Sequence, residues 1–61
     1  MGEKLKQARK AAGLSQVELA QIVGCTQKDI SRWENCEREP MASSLKKLAH
    51  ALGCSMDDLV Q

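Results

Sequence analysis

Sixty-one residues make one small domain, because a chain of this length buries only about 60% of the surface that its unfolded form exposes. A composition of 43% hydrophobic and 28% charged residues is that of a globular protein and excludes a disordered one, and no apolar run approaches the roughly 20 residues a bilayer span needs. Net charge is only +1, yet Lys4, Lys6, Arg9 and Lys10 gather at one end and Asp57 and Asp58 at the other, so charge is segregated rather than absent.

Along the chain, Glu3 to Ala12 is expected as a first helix, with Leu5, Ala8 and Ala12 on one stripe and Gly13 as its stop. Leu14 then enters the core. A second helix runs from Gln16 to Val23, opened by the capping box of Ser15 with Glu18 and ended by Gly24, which takes a left-handed backbone at little cost. Thr26 with Asp29 is a second capping box and opens a third helix, Gln27 to Asn35. Two helix starts separated by one short helix and a glycine turn have the spacing of a helix-turn-helix, and Ala20 is small where the two helices must cross. Leu19, Val23, Cys25, Ile30 and Trp33 fall on the inner sides, which leaves Gln27, Lys28, Ser31 and Arg32 on one polar, basic outer face. Pro40 punctuates the next connection. Ser43 to Leu52 reads as a fourth helix, with Leu45, Leu48, Ala49 and Leu52 on one stripe and Gly53 beyond its end. Ser55 with Asp58 opens a last turn or two through Leu59 and Val60. No segment reads as a strand, so the fold class is all-α, a compact five-helix body.

Other chemistries find less support. Cys25, Cys36 and Cys54 are odd in number and lack C-x-x-C spacing; with His50 they make an irregular donor set, so no metal or cofactor is expected. One histidine and no nucleophile–base pairing leave nothing to run an enzyme's chemistry, and no small-molecule substrate is expected. Trp33 is the only aromatic, which withholds the stacking platforms of single-strand binders and favours double-stranded DNA. Trp33 itself reads as a core anchor, since it shares the side of Ile30. Lys46, Lys47 and His50 read as a solvated face of the fourth helix. The segment Met1-Gly2-Glu3-Lys4 has no apolar stretch of a secretion signal, and a cytoplasmic protein is expected.

The segments Gly13-Leu14-Ser15-Gln16, Glu18-Leu19-Ala20, Val23-Gly24, Ile30-Ser31-Arg32-Trp33-Glu34, Pro40, Leu48-Ala49 and Ala51-Leu52-Gly53 resemble the phage-repressor-like, Cro-type helix-turn-helix regulators, the xenobiotic-response-element (XRE) family. The resemblance covers nearly the whole chain and implies a lambda-repressor-like DNA-binding domain over 1–61, its helix-turn-helix at 16–35. It also implies that the helix beginning near Gln27 lies in the major groove, while the helix beginning at Gln16 braces against the backbone. Gln27 then suits adenine and Lys28 or Arg32 guanine, with Ser31 beside them. Gln16, Asn35 and Arg38 look like phosphate contacts, Gln16 with the partly positive N–H groups of its helix start. Arg9 and Glu34 match positions that form an internal ion pair in the family, a structural role.

Several residues depart from the family pattern. Cys36 stands where glycine usually follows the third helix, so that helix is expected to run on or to end by a different turn. Glu37 and Glu39 flank Arg38 where relatives are often basic, which weakens the expected grip on phosphate. Met41-Ala42 replaces the usual cap of the fourth helix, and Cys25 and Cys54 stand for valine as small buried hydrophobes. The function implied is a sequence-specific transcriptional regulator, a repressor, that reads a palindromic operator as a homodimer, assembled either in solution or only on DNA. Leu59, Val60 and exposed parts of the fourth helix are the expected protomer contact. The alternative is a protein-interaction module, an antitoxin or coactivator adaptor on the same fold.

Overall fold

The computed structural model describes residues 2–60; Met1 and Gln61, the ends of the expected domain and the first residue of the leader reading, lie outside it. Five helices follow in chain order: α1 Gly2–Ala11, α2 Gln16–Val23, α3 Gln27–Glu34, α4 Ala42–Leu52 and α5 Met56–Val60. No strand occurs among the described residues. The helix starts follow their local chemistry. The Glu18 N–H donates to Ser15 Oγ at 3.0 Å and the Ser15 N–H to Glu18 Oε1 at 2.9 Å, and that return bond holds the Glu18 carboxyl below its usual range. Thr26 with Asp29 and Ser55 with Asp58 repeat the reciprocal pair. Among α2 to α5, only α4 starts on a residue, Met41, whose side chain makes no cap bond.

Leu5, Leu19, Ala20, Val23, Ile30, Trp33, Leu45, Leu48, Ala49 and Leu59 form one core, with Ala8, Leu14, Cys25 and Cys54 packed against it. α3 packs on α1 and α2, α4 on α2 and α5, and α5 closes on α1. Gly2 is buried where α1 begins against the end of α3: a Cβ there would sit on the Glu34 carbonyl oxygen and 2.7 Å from the Cys36 Sγ. Only glycine lets the two helix ends approach so closely.

Three expectations are corrected. α1 stops at Ala11, and Ala12, expected on its buried stripe, is exposed in the turn that follows. Leu59, expected at a protomer contact, is 1% exposed and belongs to the core, because α5 turns that residue onto α1 and α4. α3 does not run on past Asn35, nor does it end by an unusual turn. Cys36 takes the left-handed conformation itself, φ +61°, with its N–H donating to the Trp33 carbonyl at 3.2 Å and the Glu37 N–H to the Arg32 carbonyl at 2.9 Å. This is the closure that Gly13 and Gly53 give α1 and α4, carried by a residue with a Cβ. A side-chain-bearing residue in that conformation costs about 1–2 kcal/mol, part of which glycine gives back through its freer unfolded chain. Cys36→Gly is therefore expected to stabilise the domain by about 0.5–1 kcal/mol, read as a rise in the urea midpoint; a fall would mean that the Cys36 thiol packs more strongly than the strain costs.

Candidate nucleic-acid interface

α3 has two sides set by its sequence. Ile30, Trp33 and Glu34 point inward and are buried, while Gln27, Lys28 and Arg32 are exposed and Ser31 is half-buried beside them. Residues 27 and 31, and 28 and 32, are each four apart, so the four side chains lie as two adjacent rows along one face. Asn35 continues the first row: its Nδ2 donates to Ser31 Oγ at 3.4 Å. Arg38 stands apart, exposed in the connection to α4 beside Glu39, Met41, Ser44 and Trp33 around a small hollow of about 230 Å³.

Beneath this face runs a chain of hydrogen bonds that no single segment of sequence discloses. Arg9 Nε donates to Glu34 Oε2 at 2.6 Å and Arg9 Nη2 to Glu34 Oε1 at 3.2 Å, a two-point ion pair between α1 and α3. Arg9 Nη1 donates to the Leu14 carbonyl at 2.8 Å, which ties the α1–α2 turn to the same guanidinium. Glu34 Oε1 also accepts from Gln16 Nε2 at 3.1 Å, and Gln16 Oε1 in turn accepts from Gln27 Nε2 at 3.3 Å.

The polarity of the chain follows from its charged end. Arg9 keeps Glu34 an acceptor, Glu34 therefore takes one Nε2 hydrogen of Gln16, and the Gln16 oxygen on the other side of the amide accepts from Gln27. Gln27 is exposed, and its Oε1 and second Nε2 hydrogen take no part in this chain. Every buried side-chain polar atom among the described residues has a partner, so the ion pair is satisfied rather than merely tolerated.

The cysteines take no part in the hydrogen-bonded row, though Cys25 lines the hollow at Arg38. Burial pushes the Cys25 thiol up, with Asp29 adding to it, and burial and then Asp58 do the same for Cys54, so both stay protonated at neutral pH. Cys36 is exposed at the end of α3. Cys25, Cys36, His50 and Cys54 are not brought together, and among the described residues no cluster of metal-type donors forms.

A family model described as helix-turn-helix (HTH_3) matches residues 5–59. Among curated proteins, the chain is 39% identical over its whole length to repressor protein C2 of Salmonella phage P22, of which it spans 28%. It is 37% identical over 98% of its length to YonR, an SPbeta prophage-derived uncharacterized HTH-type transcriptional regulator of Bacillus subtilis strain 168, of which it spans 56%. The chain thus covers between about a quarter and about half of these relatives. Among solved structures it superposes on the P22 C2 repressor bound to a synthetic operator with a TM-score of 0.94, at 38% identity, over 98% of this chain and 91% of that one. It also superposes on SinR, a master regulator for biofilm formation solved with DNA, with a TM-score of 0.91 at 31% identity, over 98% of this chain and 97% of that one.

Proposed function

Because the chain belongs to the helix-turn-helix family, whose matched relatives include DNA-bound regulators, we propose that it is a transcriptional repressor that reads double-stranded DNA through the outer face of α3. The observation that carries this reading is the hydrogen-bonded row from Arg9 through Glu34 and Gln16 to Gln27, which holds one base-reading side chain in place before DNA arrives. Gln27 offers an acceptor and a donor side by side, the pattern that matches the N6 and N7 edge of adenine. Lys28 and Arg32 match guanine O6 and N7, and Ser31 sits between the rows. Gln16 keeps one Nε2 hydrogen for a phosphate, next to the free N–H groups at the start of α2; Asn35 and Arg38 extend the backbone contacts.

Residues 1–61 act on this reading as one DNA-binding domain in the cytoplasm, and no helix among the described residues is long and apolar enough to cross a membrane. Two copies pair on a palindromic site with half-sites about 34 Å apart, one turn of DNA. With Leu59 in the core, the apolar surface left on α5 for that pairing is Met56 and Val60.

Neutralising about four phosphates per protomer gives a slope of log affinity against log salt near −7 for the dimer. Lys28→Ala and Arg32→Ala are each expected to weaken specific binding by about 1–3 kcal/mol and to relax selectivity at one base position. Fluorescence anisotropy with a labelled duplex, repeated across salt concentrations, reads both. A slope near zero, or alanine variants that bind as well as the parent, would contradict the proposal.

A further inference from the structure

The outer side of α4 and the last turn of α2 border an open groove of about 470 Å³, lined by Ile22, Ser43, Lys46, Lys47, His50 and Ala51. None of these residues belongs to the α3 face. Ile22 is 59% exposed there, because the inward stripe of α2 is already made by Leu19, Ala20 and Val23. The titratable residues bordering this apolar strip are all basic: two lysines and a histidine line it beside Ser43 and no carboxylate does, although the chain as a whole holds eight acids against nine Lys and Arg. α4 contains no acidic residue at all. The acid one turn before Ile22 on α2, Glu18, is tied to the Ser15 N–H.

The surroundings select the occupant. No sheet edge exists among the described residues to accept an added strand, and Trp33, the only aromatic, is buried in the core, so there is no aromatic slot for a proline-rich segment. No arginine lines the groove to fork onto a phosphorylated side chain. An apolar strip with a cationic border on the open side of a helix fits an amphipathic helix that is apolar on one side and acidic on its flanks.

We propose that this groove docks an acidic amphipathic helix of another protein, with aliphatic side chains against Ile22 and Ala51 and carboxylates beside Lys46, Lys47 and His50. Gln16 contacts α3 at the start of α2, and Ile22 lies six residues further on, about 9 Å along the helix axis. The groove and the α3 face are therefore separate surfaces, and this inference does not depend on the DNA-reading proposal.

The test is a titration of a designed peptide of about four helical turns, with leucines at i, i+4 and i+7 and glutamates on the flanks, into isotope-labelled protein followed by NMR. Shifts confined to Ile22, Ser43, Lys46, Lys47, His50 and Ala51 are expected. Binding should weaken by about tenfold or more in Lys46→Glu/Lys47→Glu, in Ile22→Ser, and for a peptide with lysine in place of glutamate. The substituted side chains are exposed, so circular dichroism should show both variants folded. No shift at millimolar peptide, shifts centred on α3, or equal binding of the lysine peptide would overturn the proposal. So would a duplex-DNA titration that moves the same α4 signals while Lys46→Glu/Lys47→Glu loses DNA and keeps the peptide, since the basic border would then serve phosphates.

Discussion

Arg9→Met is expected to lower the unfolding free energy by about 3–5 kcal/mol, because it strands a buried carboxylate. The two side chains are 10% and 2% exposed, so water cannot replace the partner that is lost. The same substitution removes the donor to the Leu14 carbonyl and leaves Glu34 with Gln16 alone. A domain of 61 residues has a total stability of about 3–9 kcal/mol, so this one change takes most of it. Urea denaturation followed by circular dichroism measures the loss. Glu34→Leu should be similarly costly, and Arg9→Met/Glu34→Leu should lose clearly less than the two single losses combined, because neither charge is then left unpaired. Additive losses would mean that the pair contributes nothing beyond its separate side chains. On the proposed reading the pair also serves DNA recognition: without Glu34 nothing sets the Gln16 amide, and Gln27 loses its fixed orientation.

Trp33→Ala is the second large effect, at about 3–5 kcal/mol. The indole is 8% exposed and packs in the core with Ile30, which is fully buried, so truncation leaves a cavity where α3 rests on its neighbours. A close-packed core relaxes only partly around such a truncation, so the space is not refilled. Thermal melting by circular dichroism is the appropriate measurement, since the variant has no tryptophan to report fluorescence. Trp33→Phe should retain most of the stability. A Trp33→Ala protein that melts like the parent but fails to bind DNA would instead assign the ring to the nucleic acid.

The helices were legible where the signal is local. Ser15 with Glu18, Thr26 with Asp29 and Ser55 with Asp58 are capping boxes written within four residues, and Gly13, Gly24 and Gly53 take positive φ where the chain must turn. The inner and outer sides of α3 followed from helical period alone, including the burial of Trp33 and the exposure of Lys28 and Arg32.

What escaped depends on tertiary placement. Cys36 carries no local sign of a left-handed turn, because a Cβ there is strained and only the closing hydrogen bonds to Trp33 and Arg32 hold it. α5 has five residues, too few for a period to tell Leu59 from Val60. Gln16 and Gln27 are eleven positions apart, and their bond exists only once α2 and α3 have crossed. The groove at Ile22 was half legible: the residue lies off the inner stripe of α2, but the lysines opposite it belong to α4, where they are exposed as expected, and only the fold brings them beside Ile22.

The central claim is that the α3 face, held by the Arg9–Glu34–Gln16–Gln27 row, reads duplex DNA. Selection from a random duplex pool, run with the folded protein beside Lys28→Ala/Arg32→Ala, tests it most directly. Enrichment of an inverted repeat that disappears with the double variant is the predicted result. Folded protein that enriches no sequence, or a variant that enriches the same one, would contradict it.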